Sequence, residues 1–168
     1  MKHLLIVFHS QSGNTARMAQ AALEGADEER DTVETRLVRA GDAGLDDLLW
    51  ADAVLFGTPE NFGFMSGMLK DFFDRTYYAA RGRIRKLPYA VLVSAGNDGT
   101  GAVRQIERIA RGYPLHKVAE PVIATSGVTE EMRSADPEGS RTPITEAQLA
   151  HARELGQTLA AGLACGIF

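Results

Sequence analysis

An open α/β sheet, parallel and covered by helices on both faces, is the fold class this sequence predicts. Three observations carry the expectation. Short apolar runs alternate with amphipathic helical stretches in a βαβαβαβαβα order along the 168 residues. The principal runs are continuous rather than alternating, as in strands buried on both faces. No internal repeat or linker interrupts the chain, so 1–168 reads as a single domain.

The first strand is the run from Leu4 to Phe8. A helix follows from about Asn14, with Met18, Ala19, Ala22 and Leu23 on its inner face. Val33, Thr35 and Leu37 alternate with Glu34 and Arg36, which suits a half-exposed strand at a sheet edge. A short helix covers about Leu45 to Trp50, and Ala53 to Phe56 is a third strand ending at Gly57-Thr58-Pro59. Met65, Met68, Leu69, Phe72 and Phe73 recur at helical spacing and predict a core-facing helix. Tyr89 to Val93 is the fourth strand, followed by a helix lined by Val103, Ile106 and Ala110. The fifth strand is expected over 118–124, with Pro121 blurring its limits. After a polar stretch over 126–144, the last helix opens on a capping box, Thr145 with Gln148.

Composition narrows the function classes. Apolar residues make up 45% of the chain, enough for a packed core. The net charge of -4 argues against a dedicated nucleic-acid surface, which would be basic. A single cysteine, Cys165, excludes an internal disulfide and a multi-Cys metal site. The N-terminal apolar run is too short for a signal peptide, and no segment reaches the length of a membrane span. A cytoplasmic protein without a metal site is the expectation.

In open parallel sheets a ligand sits outside the carboxyl ends of the strands, where strand order reverses. The loops after strands one, three and four are therefore the places to look. The first is Ser10-Gln11-Ser12-Gly13-Asn14-Thr15, between a buried strand and a helix start. A helix N-terminus offers unpaired N–H groups and the positive end of its dipole. Ser10, Ser12 and Thr15 add hydroxyls, and Gly13 permits a tight turn. The loop suits a phosphate monoester. It has no Lys or Arg, so it is not a Walker loop, and it lacks the Gly-x-Gly-x-x-Gly spacing of a dinucleotide site.

Ser-x-Ser-Gly-Asn-Thr after a first strand resembles the FMN phosphate loop of flavodoxins. The second loop, Gly57-Thr58-Pro59-Glu60-Asn61-Phe62-Gly63-Phe64-Met65-Ser66-Gly67, is similar to that of one flavodoxin-like subfamily. These are the NAD(P)H:quinone oxidoreductases once called Trp-repressor-binding proteins. Gly139-Ser140-Arg141-Thr142-Pro143, with Leu149, Ala152 and Gly156, resembles the same family's last loop and helix. The resemblance runs from Met1 to about Leu163. It implies a flavodoxin-like three-layer fold, with a five-stranded parallel sheet of order 2-1-3-4-5 and helices on both faces. It implies bound FMN, NAD(P)H and a quinone-like acceptor as partners, and a homo-oligomer, dimer or tetramer.

By the same resemblance the flavin ring lies between two loops. One is Thr58, Pro59, Glu60, Asn61, Phe62 and Gly63; the other is Ser94, Ala95, Gly96, Asn97, Asp98 and Gly99. Backbone N–H groups near Phe62 and Gly63 would serve the ring edge, and those of the fourth-strand loop the pyrimidine end. His116 falls near a position where the family carries a histidine beside the pyrimidine. His9 reads as a satisfied histidine beside the phosphate loop, and His3 and His151 as peripheral residues. Arg81, Arg83, Arg85 and Lys86 read as a solvated basic loop, and Trp50 as packing for the short helix.

No side chain in the loops stands out as an obligatory acid, base or nucleophile. The expected function is FMN-dependent hydride transfer from NAD(P)H to a quinone or similar acceptor. The alternative is a flavodoxin-type electron carrier. The fourth-strand loop offers no aromatic, so one ring face should be open, which favours the oxidoreductase. A response regulator would need an Asp where Gly57-Thr58 stand, and a low-molecular-weight phosphatase a Cys in the first loop.

Overall fold

The structure, a computed structural model, describes residues 1–84, 86–128, 135 and 143–168. Its centre is made of β1 (Lys2–Phe8), β3 (Ala53–Asn61) and β5 (Leu87–Ala95). Side chains of each alternate between two cores. Leu5, Val7, Val54, Phe56, Val91 and Val93 face one way. Leu4, Ile6, Phe8, Leu55, Ala90 and Leu92 face the other. The unbroken apolar runs follow from this, since both faces of a two-residue period must be buried. The first core is closed by α2 (Leu45–Trp50), α3 (Gly67–Ala80) and α4 (Thr100–Ala110), the second by α1 (Asn14–Ala26) and α5 (Glu146–Ala164). The expected three layers, with helices on both faces, are present.

The expected five-stranded sheet of order 2-1-3-4-5 is corrected. The sheet has seven strands, and its main path is β2-β1-β3-β5-β6, with β2 (Val33–Arg39) at one edge and β6 (Leu115–Lys117) at the other. β7 (Val122–Thr125) also pairs with β5, and β4 (Phe64–Met65) folds back antiparallel on β3. The strand expected over 118–124 is thus two short pieces on one partner. Val118 N–H still reaches the Tyr89 carbonyl at 3.1 Å, but Pro121 has no N–H to give, and pairing resumes at Val122.

The third strand does not end at Gly57-Thr58-Pro59. It runs on to Asn61, with buried Pro59 paired to Ser94. Pairing with β1 stops at Phe8↔Gly57, so beyond it β3 has a ladder to supply on one side only. Two positions of the predicted helical stripe also differ. Met65 lies in β4, and Met68 is 42% exposed. Leu69, Phe72 and Phe73 carry the buried face of α3, with Phe73 5.0 Å from the Phe56 ring.

α2 has its expected limits, and α5 starts on the expected capping box. Thr145 N–H donates to Gln148 Oε1 at 2.9 Å, and Gln148 N–H returns to Thr145 Oγ1 at 3.3 Å. Trp50 does more than pack its helix, since its ring stacks on His3 at 4.4 Å and lies 3.8 Å from the Arg36 guanidinium. The registers Phe8↔Gly57 and Pro59↔Ser94 bring the C-terminal ends of β1, β3 and β5 to one edge of the sheet, where the three loops meet. Arg85 and Gly139 to Thr142 lie outside the described residues. Among the described residues no helix is long and apolar enough to cross a membrane.

Candidate functional site

The first loop leaves β1 through His9, whose N–H donates to the Gly57 carbonyl at 3.0 Å. Ser10 Oγ accepts the Gly13 N–H at 3.2 Å, and Gly13 turns the chain at φ 101°. Only glycine takes that conformation without strain. The first helical bond runs from Arg17 N–H to the Gly13 carbonyl, so the amides of the preceding turn have no acceptor within the helix. No side chain caps α1 among the described residues. α3 and α5 are capped by Ser66 and Thr145, and α4 by a carboxylate described below. An uncapped helix start with the exposed Ser12 hydroxyl beside it fits a phosphate monoester.

Two residues of this loop turn inward. Thr15 is buried, and its Oγ1 lies 2.7 Å from Ser94 Oγ. Asn14 Oδ1 accepts the Ile144 N–H at 3.3 Å. These hydrogen bonds tie the loop to β5 and to the segment before α5. The tertiary fold also brings up a cation that the loop itself lacks. Arg39 pairs with Phe8 across β1 and β2, and its guanidinium lies 5.6 Å from the Phe8 ring. His9 is not the satisfied histidine expected, since among the described residues its buried Nδ1 has no hydrogen-bond partner. Burial and then the Arg39 charge lower its pKa, so it sits neutral at pH 7.

The second loop is a hairpin. Glu60↔Met65 and Asn61↔Phe64 pair, and Phe62-Gly63 make a two-residue turn with φ of 51° and 74°. Both left-handed, they form the turn that matches strand twist, yet its first position holds a phenylalanine where Asn or Gly is usual. Phe62 is 87% exposed and Phe64 56%. Thr58 is turned inward, its Oγ1 donating to the Pro59 carbonyl and accepting the Ser66 N–H, both at 2.9 Å. Ser66 in turn accepts the Leu69 N–H and starts α3. Its place one residue before a helical stretch was the sequence signal for it.

The third loop is held on the other side by the chain after β7. The Ala95 and Gly96 carbonyls accept Ser126 and Gly127 N–H at 2.9 and 2.8 Å. Gly99, at φ 94°, begins α4, but its N–H is not open. It donates to Glu60 Oε2 at 2.7 Å, while Glu60 Oε1 accepts Gly101 at 3.0 Å and Ala102 at 3.3 Å. Asp98 is occupied with the Thr100 hydroxyl at 2.8 Å.

The structure therefore gathers all eighteen expected residues at one edge but sorts them. Asn14, Thr15, Thr58, Glu60, Ser94, Asp98 and Gly99 spend polar groups on holding the loops together. Among the described residues, the side chains of Gln11, Ser12, Asn61 and Asn97 make no hydrogen bond, and Gln11, Ser12, Phe62 and Asn97 are exposed. His116 does not join them. It pairs with Pro88 at the start of β5, the opposite edge of the sheet. Arg81, Arg83 and Lys86 are exposed in the turn leading to that edge. Among the described residues no group of His, Cys, Asp and Glu is arranged to hold a metal.

Known proteins resemble this chain in family and fold. Residues 43–130 match the family described as NADPH-dependent FMN reductase. A flavodoxin of Aquifex aeolicus is 35% identical over 101 residues, covering 60% of this chain and 54% of that protein. An NAD(P)H dehydrogenase (quinone) of Acidithiobacillus ferrooxidans is 34% identical over 95 residues, covering 45% of this chain and 48% of that protein. The matches thus span about half the length of these curated relatives. A WrbA-like flavodoxin structure from Agrobacterium tumefaciens superposes with a TM-score of 0.72 at 21% identity, covering 99% of both chains.

Proposed function

Because the chain belongs to the NADPH-dependent FMN reductase family, we propose that it binds FMN at this edge and oxidises NAD(P)H, with a quinone or similar compound as acceptor. The observation that carries the reading is the convergence at one edge of an uncapped, hydroxyl-bearing helix start with two loops on which Phe62 and Asn97 are exposed. When bound, FMN supplies the hydride chemistry, and the protein supplies position and electrostatics. The α1 start and Ser12 hold the phosphate. Main-chain N–H groups of Asn61 to Gly63 and of Ala95 to Asn97 would serve the ring edge. Phe62 offers a flat apolar surface, and its strained backbone at a solvent-exposed position is the kind of outlier found at functional sites. The reading calls on no side chain as an obligatory acid or base.

The third loop has no aromatic to cover the ring, so donor and acceptor use one open face in turn, and ping-pong kinetics are expected. Asn97→Tyr narrows that face. The variant should retain FMN and lose most NAD(P)H oxidation in a quinone-coupled assay. Full turnover by this variant would overturn the shared-face reading. The carrier alternative has the flavodoxin relative in its favour, and it is distinguished by FMN binding without NAD(P)H oxidation in the wild type. A homo-oligomer covering the exposed Phe62, Phe64 and Met68 belongs to the reading. Light scattering of the FMN-loaded protein should give at least a dimer, and a monomer at high concentration would contradict it.

A further inference from the structure

The three hydrogen bonds to Glu60 assign that residue a task beyond lining a loop. We propose that Glu60 is the positioning residue that sets the width of the ring cleft, by locking the β3–β4 hairpin to the start of α4; this rests on the FMN reading above. Both carboxylate oxygens are committed, Oε2 to Gly99 and Oε1 to Gly101 and Ala102. The acceptor comes from about forty residues earlier in the chain to cap an eleven-residue helix whose own N-cap, Gly99, has no side chain. A negative charge at a helix start is stabilised by the helix dipole, so the lock is charge-assisted.

The backbone is shaped for the same contact. A Cβ at Gly101 would lie 2.8 Å from the Gly63 carbonyl carbon and closer still to its oxygen, and 2.9 Å from Glu60 Oε1. The tip of the hairpin thus abuts the first turn of α4, and glycine is needed for the approach. On the other side, a Cβ at Gly99 would lie 3.3 Å from Val93 Cγ1 and closer to Ile123. The start of α4 is wedged between the hairpin and the sheet. The hairpin's other tie to the body is Met65, buried in the first core. β4 is two residues long, Phe62 and Phe64 are exposed, and Thr58 with Ser66 fastens only its base. One carboxylate therefore links the exposed part of the hairpin to the loop before α4, and these are the two loops that flank the ring. The phosphate loop is anchored separately, through Thr15 to Ser94 and Asn14 to Ile144.

The separation of the two anchors gives the test. Fluorescence titrations with FMN and with riboflavin are compared for wild type, Glu60→Ala and Glu60→Gln. Loss of the lock should weaken both flavins by the same factor, about tenfold or more for Glu60→Ala. Glu60→Gln keeps one acceptor oxygen but turns an amide toward an N–H, so it should fall between, with roughly a threefold loss. The visible spectrum of each flavin-saturated variant should also differ from that of wild type, which a residue that only stabilises the fold would not change. If circular dichroism shows Glu60→Ala unfolded, Glu60→Gln decides alone. Wild-type affinity for both flavins in a folded variant, or a loss confined to FMN, overturns the proposal. A wild type that binds neither flavin overturns the FMN reading instead, and the lock's role with it.

Discussion

Ser12→Asp lowers FMN affinity by about a hundredfold or more while leaving riboflavin affinity within about threefold of wild type. Ser12 is exposed and makes no hydrogen bond among the described residues, so the fold tolerates the change. The new carboxylate stands at the proposed phosphate site, next to an α1 start with no side-chain cap among the described residues. Two unit charges about 4 Å apart repel by about 4 kcal/mol at an effective dielectric near 20, and roughly 1.4 kcal/mol is a factor of ten. Arg39 at the neighbouring strand end offsets part of that repulsion, and His9, held neutral at pH 7, offsets little. Titration with the two flavins, which differ only in the phosphate, checks the prediction. Equal loss for both, or no loss for FMN, would remove the phosphate from this loop.

Gly156→Val lowers the melting temperature by about 6–12 °C. α1 and α5 pack backbone to backbone through two glycines. A Cβ at Gly156 would lie 2.6 Å from the Ala22 carbonyl carbon and 2.8 Å from its Cα. A Cβ at Gly25 would lie 2.8 Å from the Arg153 carbonyl carbon. A branched side chain at this crossing must separate the helices, exposing Met18, Ala19, Ala22, Ala152 and Leu159, all fully buried. Overpacking of this kind costs about 3 kcal/mol, and each kcal/mol moves the midpoint by roughly 2–4 °C in a chain of this size. Gly156→Ala is the sharper control. Alanine is favoured over glycine in a helix by about 1 kcal/mol, so a loss of stability there isolates the clash. Thermal unfolding of the apo protein measures both, and an unchanged or raised midpoint for Gly156→Val would sink the argument. α1 begins at the phosphate loop, so its displacement should weaken FMN binding as well.

The amino-acid sequence by itself determined the features that depend on near neighbours along the chain. Leu4 to Phe8 reads as a buried strand because the core needs apolar atoms on both of its faces. Thr145 and Gln148 mark the start of α5 because both partners of the capping box lie within one turn. Ser10 to Thr15 reads as an anion loop because hydroxyls, a glycine and a helix start follow one another. The expected shape of the sheet was legible to a lesser degree: it missed the break at Pro121 and the hairpin by which β3 runs on to Asn61 and pairs with β4.

What the tertiary structure alone decided are pairings between residues far apart in sequence. Thr15 and Glu60 carry the residue types of a ligand site, and nothing near them in sequence says that one faces Ser94 and the other caps α4. Gly156 looks like a weak helix residue until Ala22 is seen against it. His9 lacks the satisfied ring expected of it and gains Arg39, on the adjacent strand, as a neighbour. His116 is carried to the far edge because strand pairing places it opposite Pro88. In each case the local pattern specifies what a side chain is able to do. The path of the backbone, set by the burial of both sheet faces at once, selects what it meets.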